Sequence, residues 1–479
     1  MKLSLVLDKI VKTDLDTDIT DVCFDSRRVR PGSLFVAVTG FKTDGHLYIN
    51  SAVEKGAAAI LAEREVAGLK IPVFVVDNTR RALAQASSNF FGDPARSLKM
   101  IGVTGTNGKT TTTTLIKQVL ESHGHKCGLI GTNANMIGDR EVPTERTTPE
   151  SRDFYELLSK MRDGGCEYVI MEVSSHSLEL DRVYGIHFAA AVFTNLSRDH
   201  LDFHGDMDTY FAAKAKLFDR CDKAVINIDD PYGVKLASMT SCETVTYSAI
   251  DDTATLEAKN ILLKPDRVRF EAVMTAAIAR VNLGIPGQFS VYNALAALGA
   301  CMCCGLSLQE AAASLASAHG VKGRAEVVPL PEDTGYTVLI DYAHSPDSME
   351  NILKTVKGFC TGRIISLFGA GGDRDKTKRP IMGGIGASYS DICVITSDNP
   401  RSEDPMQIIA EVSAGAMGKK SKINVVCDRR EAIAYALSIA KADDVVVLMG
   451  KGHETYQEIA TGKIHLDERE EIAAYFANR

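Results

Sequence analysis

Hydrophobic residues near the N-terminus form short runs separated by polar, turn-rich segments. This pattern predicts strands at Ser33–Val38, Ala59–Leu61 and Val73–Val76. The segment Phe91-Gly-Asp-Pro-Ala-Arg96 then interrupts the pattern, because glycine and proline break regular structure. We therefore predict a small α/β domain over residues 1–97.

A second block begins with the apolar run Met100–Val103, which a glycine-rich loop connects to a helix reaching about Ser122. Further apolar runs predict buried strands at Tyr168–Val173, Ala189–Thr194 and Ala224–Ile228. Strands that alternate with helices indicate a largely parallel sheet covered on both faces. Between residues 244 and 286, alternating charged positions favour an antiparallel subsheet, and a long helix is predicted after Asn293.

From about Arg324 the alternation of strands and helices restarts. Strands are predicted at Thr337–Ile340, Ile364–Phe368, Ile392–Thr396, Asn424–Cys427 and Val445–Met449. This is the pattern of a doubly wound, Rossmann-like domain. The glycines of Gly369-Ala-Gly-Gly372 lack the spacing of a dinucleotide-binding loop. The predicted fold class is therefore α/β, with three domains over residues 1–97, 98–323 and 324–479.

Length, charge and cysteine usage restrict the class of protein. The 479 residues exceed what one hydrophobic core supports, and the net charge of −8 argues against a general nucleic-acid binder. Charged residues interrupt the first segment, MKLSLVLDKI, too early for a signal peptide. No run of apolar residues reaches the ~18 that a membrane span needs. The 11 cysteines form no disulfide framework, so we expect a cytoplasmic protein without membrane insertion.

Three cysteines, Cys301, Cys303 and Cys304, include a CxxC spacing. They could form a metal or redox site, or they could be small hydrophobic residues of a helix. No second cysteine pair or histidine pair accompanies them, and the surrounding segment is rich in alanine and leucine. The second interpretation is favoured.

The strongest local signal is Gly102-Val-Thr-Gly-Thr-Asn-Gly-Lys-Thr-Thr111, called the phosphate loop below. Glycines let backbone N–H groups converge on phosphate oxygens at the N-terminus of the following helix. Lys109 would neutralise the β- and γ-phosphates of a nucleotide, and the Thr110 hydroxyl would bind Mg²⁺. Val103 stands where the strict pattern has glycine, so the loop is a variant. A turn that binds no ligand is the alternative.

Two residues at predicted strand ends are candidates for holding a metal ion. Glu172 ends an apolar strand, where an acidic residue can bind Mg²⁺, although a structural ion pair would explain it as well. His200 follows another strand, and a single histidine is more often structural. Spacing alone does not decide between a metal-binding role and a structural role for these two residues.

Longer motifs occur in one order along the chain. They are GTNGKTT, MEVSSHSLELDRV, TNLSRDHLDFHGDMDTYFAAKAKLF, DYAHSPDSM, GDRDKTKRP, TSDNPRSEDP and MGKGHE. With these motifs the chain resembles the Mur ligase family over essentially its whole length. The resemblance implies an N-terminal domain that binds a UDP-linked substrate, a central ATPase and a C-terminal amino-acid-binding domain. It further implies an ATP- and Mg²⁺-dependent ligase of peptidoglycan synthesis that joins meso-2,6-diaminopimelate to UDP-N-acetylmuramoyl-L-alanyl-D-glutamate through an acyl phosphate.

The resemblance assigns residues to ATP and magnesium. Those expected at ATP are Gly105, Thr106, Asn107, Gly108, Lys109, Thr110, Thr111, Asn293, Arg324 and Asp341. Those expected at magnesium are Thr110, Glu172, His200 and Lys214, the last as a carbamate. Lys109, Glu172, His200 and Lys214 are the expected catalytic residues. Carbamylation would turn a helix lysine into an anionic metal ligand, a role that Lys214 would not suggest without the resemblance.

The resemblance also assigns the two other substrates. Residues expected at the UDP-linked dipeptide are Phe24, Ser26, Phe41, Lys42, Thr43, Thr147, Thr148, Ser174 and Arg182. Residues expected at diaminopimelate are Arg374, Asp398, Asn399, Pro400, Arg401, Gly450 and Glu454. The chain departs from the family at Leu180, where some members carry a polar residue, and at Ser290, where asparagine is expected.

The motif Asp398-Asn-Pro-Arg401 bears on which amino acid is added. Family members that add meso-diaminopimelate carry this arginine, whereas lysine-adding members do not. A guanidinium can bind the distal carboxylate that lysine lacks. The alternative is that this motif is a surface turn that binds no ligand, since Asn-Pro is common in turns.

Three other functions are alternatives to diaminopimelate addition. They are a lysine-adding ligase, a folylpolyglutamate synthetase and a non-catalytic scaffold. The scaffold would be expected to lack Lys109, Glu172 or Lys214, all of which are present. We expect a monomer with no nucleic-acid partner.

Overall fold

A computed structural model describes residues 1–40, 43–144, 146–331 and 333–477, so the predicted site residues Phe41 and Lys42 lie outside the described residues. The chain divides into two compact units. The first comprises residues 1–257 and 295–307, and the second comprises residues 258–294 and 308–479. The predicted domain boundaries at residues 97 and 323 stay a prediction.

The N-terminal part of the first unit is a four-stranded parallel sheet in the order β1-β2-β3-β4. Its strands are β1 (Asp21–Cys23), β2 (Ser33–Val36), β3 (Ala59–Ala62) and β4 (Val73–Val75). Its helices are α1 (Leu3–Val6), α2 (Ile49–Glu54) and α3 (Thr79–Phe90). The Asn78 side chain accepts hydrogen bonds from the N–H groups of Arg80 and Arg81, which fixes the start of α3.

The rest of the first unit is built around a second, mainly parallel sheet. Its strands in this unit are β5 (Lys99–Thr104), β6 (Cys127–Ile130), β7 (Asn135–Ile137), β8 (Arg140–Val142), β9 (Tyr168–Glu172), β10 (Phe188–Phe193), β11 (Cys221–Asn227) and β12 (Glu243–Ser248). Its helices are α4 (Lys109–Ser122), α5 (Ser151–Asp163), α6 (Ser175–Glu179), α7 (Leu201–His204), α8 (Met207–Ala215) and α9 (Pro231–Met239).

The strand order of this sheet is β12-β11-β10-β5-β9-β6-β7-β8, with β7 and β8 antiparallel to their neighbours. β5, β9 and β10 are almost entirely buried, as their continuous apolar runs predicted. The loops that follow β5, β6, β9 and β10 therefore leave the same edge of the sheet. Candidate chemistry is concentrated at that edge.

Arg152 of α5 connects the two sheets of the first unit. Its guanidinium donates to Asp21 Oδ1 at 2.9 Å and to the carbonyl of Val22 at 3.2 Å, and its side chain is 9% exposed. Arg81 of α3 adds an ion pair to Asp181 at 3.0 Å. The N-terminal sheet is thereby held against the loops of the second one.

A hairpin of the second unit precedes two helices, and the first of these helices begins in the second unit and ends in the first. β13 (Leu256–Leu263) begins in the first unit, and β14 (Val268–Met274) and β15 (Ala277–Leu283) form an antiparallel pair. The antiparallel prediction is therefore confirmed for this pair, whereas β12 pairs in parallel with β11 and β13. The helices are α10 (Gln288–Cys303) and α11 (Leu308–Leu315). α10 begins before Asn293 rather than after it, directly behind Gly287, whose φ is +92°.

The C-terminal sheet has the order β16-β17-β21-β18-β19-β20, parallel apart from β16, and a separate hairpin follows it. The strands are β16 (Glu326–Val327), β17 (Thr337–Asp341), β18 (Ile364–Phe368), β19 (Ile392–Ile395), β20 (Lys422–Val425), β21 (Val445–Met449), β22 (Tyr456–Ile459) and β23 (Gly462–His465). The helices are α12 (Pro346–Lys357), α13 (Lys378–Tyr389), α14 (Pro405–Ala416), α15 (Arg429–Ile439) and α16 (Glu468–Ala477). The predicted doubly wound pattern is confirmed.

The predicted cysteine cluster is part of the packing. Cys301 is fully buried in α10, and burial raises the pKa of its thiol. Burial also raises the pKa of Cys303 to about 11 and that of Cys304 to about 12. All 11 cysteines are free thiols. Within the described ranges no helix is long and apolar enough to cross a membrane.

Candidate active site

The phosphate loop connects β5 to α4. Gly105 and Gly108 have φ values of +144° and +84°, which favour glycine, and a Cβ on Gly105 would lie 1.9 Å from Thr194 Oγ1. The loop is held by residues that follow β10: Thr194 Oγ1 donates to the Asn107 carbonyl at 2.6 Å, and Asn195 Oδ1 accepts from the Asn107 N–H at 2.9 Å. The glycine pattern predicted the loop but not these two supports.

Two lysine side chains converge on this loop. Lys109 Nζ donates to the carbonyls of Gly105 at 3.0 Å and Thr106 at 2.8 Å. Lys214 Nζ, on α8, donates to the same Gly105 carbonyl at 2.8 Å and lies 4.7 Å from the centre of the Tyr210 ring. The charge of Lys109 makes this loop a positive centre for phosphate oxygens, and the amine of the buried Lys214 lies beside it.

Lys214 is only 2% exposed. Burial lowers the pKa of its ammonium well below the ordinary value, and the charge of Lys109 acts in the same direction. A lowered pKa increases the neutral amine, which is the form that can react with CO₂. The structure thus gives Lys214 the environment that carbamylation requires.

Glu172 ends β9 and is 1% exposed. Its two carboxylate oxygens accept from Thr132, one from the backbone N–H at 2.8 Å and the other from the hydroxyl at 3.0 Å. The Thr132 hydroxyl also contacts Thr147 Oγ1 at 3.0 Å, and Thr148 Oγ1 donates to the Glu172 carbonyl at 2.9 Å. The carboxylate is therefore held beside two predicted substrate residues.

His200 has a left-handed backbone, with φ of +53°, at the start of α7. Its ring lies 4.9 Å from that of His176 and 6.2 Å from that of Tyr210. The structure thus places His200 near α8, which carries Lys214.

The four residues predicted to hold magnesium come from separate segments of the first unit. Among the described residues no three His, Cys, Asp or Glu side chains are grouped so that they could hold a metal ion. The predicted set contains only two such residues, Glu172 and His200. A carbamate on Lys214 and the Thr110 hydroxyl would supply the remaining oxygen ligands, which are the type that Mg²⁺ prefers. By donor type alone, this set would suit magnesium if Lys214 were carbamylated.

A cavity of about 490 Å³ lies in the first unit, between its N-terminal part and the segment that precedes α5. Predicted residues Phe24, Ser26 and Thr43 line it. Arg80 and Arg146 line it too, and neither was predicted, because single arginines give no spacing signal. An apolar wall with arginines at one side suits a ligand that combines a ring with phosphate groups.

Glu150 organises the arginines of this cavity. Its carboxylate pairs with Arg182 at 2.8 Å, with Arg80 at 3.8 Å and with Arg146. Three guanidinium groups around one carboxylate leave an excess of positive charge. Arg182 also donates to the Thr148 carbonyl at 3.2 Å, and Thr148 Oγ1 lies 3.4 Å from Ser174 Oγ. The predicted residues Thr148, Ser174 and Arg182 thus connect the cavity to Glu172.

In the second unit, the predicted amino-acid residues lie at the carboxyl ends of β18, β19 and β21. Asp398 and Asn399 are 8% and 5% exposed. Asn399 Nδ2 donates to Glu454 Oε2 at 3.1 Å, which joins the loop after β19 to the loop after β21. Gly450 has φ of +112°, and a Cβ there would lie 2.4 Å from Asp398 Oδ2, so only glycine fits.

Arg401 is held in place before any ligand binds. Its Nε donates to Glu458 Oε2 at 3.0 Å and its Nη1 to the Gly372 carbonyl at 2.7 Å. Its backbone is left-handed, with φ of +51°. Arg374 is exposed on the loop after β18, and the Pro400 carbonyl packs closely against Gly372. The turn alternative for this motif is compatible with the backbone but does not explain the buried polar network.

Three residues predicted for ATP belong to the second unit. Asp341 ends β17 and accepts from the N–H groups of Ala325 at 2.7 Å and Ala343 at 2.8 Å, while burial raises the pKa of its carboxyl. The Arg324 guanidinium lies 5.3 Å from the centre of the Tyr342 ring. Asn293 is buried in α10.

The two departures from the family pattern have different surroundings. Ser290 is fully buried, and its hydroxyl donates to the Pro286 carbonyl at 2.7 Å, so it closes the first turn of α10. Leu180 is half-buried at the end of α6. Ser290 thus has a structural role.

Family models match three parts of the chain. They are the Mur ligase family catalytic domain over residues 18–91, the Mur ligase middle domain over residues 103–301 and the Mur ligase glutamate ligase domain over residues 323–452. The chain therefore belongs to the Mur ligase family and has its three-domain α/β fold.

Relatives match along nearly the whole chain. A UDP-N-acetylmuramoyl-L-alanyl-D-glutamate–2,6-diaminopimelate ligase of Clostridium tetani is 46% identical, over 98% of this chain and 98% of its own. A ligase of the same name from Caldanaerobacter subterraneus subsp. tengcongensis is 47% identical, over 98% and 96%. A solved structure of a ligase of that name is 32% identical with a TM-score of 0.76, covering 100% of this chain and 99% of the other.

Proposed function

We propose that this protein is an ATP-dependent ligase that adds meso-2,6-diaminopimelate to UDP-N-acetylmuramoyl-L-alanyl-D-glutamate in peptidoglycan precursor synthesis. The observation that carries the proposal is the match, along 98% of the chain, to relatives named for this activity. Support comes from the phosphate loop with its two lysines and from the Asp398–Arg401 network.

The first step transfers the γ-phosphoryl group of ATP to the free carboxylate of the D-glutamyl residue. The products are an acyl phosphate and ADP. Two anions must approach each other, so positive charge is required at the phosphates. Lys109 beside Gly105, with the N–H groups at the start of α4, supplies that charge.

In the second step, the amine of diaminopimelate attacks the acyl carbon. The resulting tetrahedral intermediate releases inorganic phosphate, and the new amide loses the proton of the attacking nitrogen. An acyl phosphate hydrolyses in water, so the reacting groups must be kept from solvent. Asn293, Arg324 and Asp341 are proposed as further ATP-binding residues.

Magnesium is proposed to be held by Thr110, Glu172, His200 and carbamylated Lys214. When bound, it neutralises phosphate oxygens and so lowers the repulsion between the two anions. The protein contributes the orientation of these ligands. Thr132 fixes the Glu172 carboxylate through two hydrogen bonds, and α8 aims Lys214 at the phosphate loop.

The UDP-linked substrate is assigned to the 490 Å³ cavity. The uridine is proposed to lie against Phe24 and Ser26, and the phosphates beside Arg80 and Arg146. The dipeptide then extends past Arg182, Thr148 and Ser174 towards Glu172. This course brings the D-glutamyl carboxylate to the phosphate loop.

Arg80→Ala tests this placement. Arg80 lines the cavity and its side chain is 19% exposed, so its loss removes a charge-assisted hydrogen bond to phosphate. Such a bond contributes about 1.5–3 kcal/mol, or roughly a 10- to 100-fold higher KM for the UDP-linked substrate. The KM values for ATP and diaminopimelate should stay unchanged. Arg64→Ala, which removes a more exposed arginine from the loop after β3, is the control. Equal effects of both changes would contradict the placement.

Arg401 is proposed to bind the distal carboxylate of diaminopimelate, the group that lysine lacks. The Nε and Nη1 atoms of this guanidinium are already hydrogen-bonded to Glu458 and Gly372, so the remaining nitrogen, Nη2, is held in one orientation. The carboxylates of Asp398 and Glu454 are then proposed to receive the ammonium at the same carbon, and Asn399 orients Glu454. This arrangement favours diaminopimelate over the lysine alternative.

Arg401→Ala should raise the KM for meso-diaminopimelate strongly. Removing one partner of a desolvated charge pair costs ~2–5 kcal/mol, which corresponds to roughly a 30- to several-thousand-fold change. Steady-state kinetics with each substrate varied in turn provide the measurement. Arg401→Lys should recover only part of the loss, because one ammonium cannot keep the contacts to Glu458 and Gly372 while it binds the carboxylate. Unchanged diaminopimelate kinetics in Arg401→Ala would remove the structural basis for this specificity.

We further propose that the enzyme is a monomer and acts in the cytoplasm. Eleven free cysteines suit a reducing compartment. Analytical ultracentrifugation of the purified protein measures its oligomeric state.

A further inference from the structure

Lys451 is a fully buried lysine among the residues assigned to diaminopimelate. Its side chain is 0% exposed, and it lies on the loop after β21 between Gly450 and Glu454. Its ammonium donates to Asn399 Oδ1 at 2.5 Å, to the Tyr456 carbonyl at 2.9 Å and to Glu454 Oε2 at 3.3 Å. A buried ammonium is costly unless it is paired, so these contacts require an explanation.

The three contacts occupy the whole hydrogen-bonding capacity of the group. An ammonium has three N–H donors and no acceptor. Asn399, Tyr456 and Glu454 use all three. Lys451 therefore has no donor left for a substrate and can act only through its neighbours.

Lys451 also balances charge in this region. Asp398 Oδ1 lies 3.8 Å from Nζ, and the Glu454 carboxylate is already a hydrogen-bond partner. Burial lowers the pKa of Lys451, while the charges of Asp398 and Glu454 act to raise it. Without a cation between them, two carboxylates would repel each other in a poorly solvated site.

The contacts of Lys451 also determine how Asn399 is oriented. Asn399 Oδ1 accepts from Lys451 and from the Glu458 N–H at 2.8 Å, so its Nδ2 must face Glu454, to which it donates at 3.1 Å. Glu458 in turn holds Arg401 through the backbone and the side chain. One ammonium thus connects the loops that follow two separate strands, β19 and β21.

We propose that Lys451 is a positioning residue for amino-acid specificity. Through Asn399 and its own hydrogen bond it holds the Glu454 carboxylate in the position that receives the distal ammonium of diaminopimelate, while Arg401 receives the carboxylate at the same carbon. Because the distal ammonium and the distal carboxylate are bound at fixed positions, the site distinguishes the two configurations of the carbon that carries them. This inference rests on the proposed function, and it adds to it a residue that contacts no substrate.

Lys451→Met tests the inference, because methionine has a similar length but lacks charge and donors. The KM for meso-diaminopimelate should rise by about 10- to 100-fold, the size expected when a charge-assisted hydrogen bond to the distal ammonium is lost. The preference for the meso over the LL isomer, as a ratio of kcat/KM values, should fall about tenfold or more. The KM values for ATP and the UDP-linked substrate should not change. Lys420→Met, an exposed lysine of the same unit, is the control and should behave as wild type.

Circular dichroism and thermal melting establish that each variant is folded. If Lys451→Met does not fold, Lys451→Gln, which keeps two donors, provides the same kinetic test. An unchanged isomer ratio in a folded variant overturns the proposal, and so does a failure of both variants to fold, since Lys451 would then be required only for the fold. A wild-type enzyme that does not use diaminopimelate would instead refute the proposed function itself.

Discussion

Lys214→Ala is expected to be nearly inactive while remaining folded. The carbamate of Lys214 is proposed to bind magnesium, and alanine removes that anion together with its position. A loss on the order of 10³-fold in kcat is expected from removing one preorganised charged group. Short carboxylates such as acetate should restore part of the activity, because the missing group is an anion rather than an ammonium.

The pKa of Lys214 sets the direction of the pH dependence. Burial lowers this pKa, so the uncarbamylated protein must either release a proton or bury a charge when it folds. The stability of the uncarbamylated protein should therefore fall as the pH decreases below the ordinary lysine pKa. Carbamylation consumes neutral amine and CO₂ and releases a proton, so it should increase as pH rises. Lys214→Met should therefore be at least as stable as unmodified wild type at neutral pH, although inactive.

Isotopically labelled bicarbonate detects the modification directly. A carbamate resonance should appear in the wild-type protein and disappear in Lys214→Ala. Lys216→Ala is the matched control, because Lys216 lies two residues further along and its side chain is 40% exposed. Full activity of Lys214→Ala, or a missing resonance in active wild-type enzyme, would contradict the role of the carbamate.

Lys109→Ala is expected to abolish measurable turnover. Lys109 starts α4 and contacts the Gly105 and Thr106 carbonyls rather than the hydrophobic core, so the protein should fold. Without its charge, the transferred phosphoryl group is not neutralised, and a loss on the order of 10³-fold is expected. The measurement is ADP release in the presence of all three substrates.

Lys126→Ala serves as the control for Lys109→Ala. Lys126 is an exposed lysine that follows the same helix, so its replacement should leave ADP release unchanged. Thermal melting of both variants separates a catalytic effect from unfolding. A folded Lys109→Ala enzyme with near-normal turnover would show that the phosphate loop does not act on ATP.

Local sequence patterns were sufficient for most of the parallel strands. The runs at Ile364–Phe368 and Val445–Met449 have the predicted bounds, because a fully buried parallel strand is apolar throughout. The start of α10 was wrong by several residues, since the glycine that precedes it was not recognised as the boundary. The pairing of β12 with its neighbours depends on contacts that alternation along one strand does not encode.

The candidate site was predicted unevenly, for a physical reason. Glycines and the lysine of the phosphate loop have a fixed spacing, so sequence identifies them. Supporting residues such as Thr132, Asn195 and Glu150 come from distant segments and carry no local pattern. Lys451 stood inside a recognised motif, yet only its burial and its three acceptors indicate what it does.

The most direct test of the central claim is ligation by the purified wild-type enzyme. The protein is incubated with ATP, Mg²⁺ and UDP-N-acetylmuramoyl-L-alanyl-D-glutamate, and with meso-diaminopimelate or L-lysine in separate reactions. Product is identified by mass spectrometry, and ADP is measured in parallel. The account predicts a UDP-linked tripeptide containing diaminopimelate, formed with one ADP per amide bond, and little product with lysine. Preferential incorporation of lysine, or no ADP-coupled product with diaminopimelate, would contradict it.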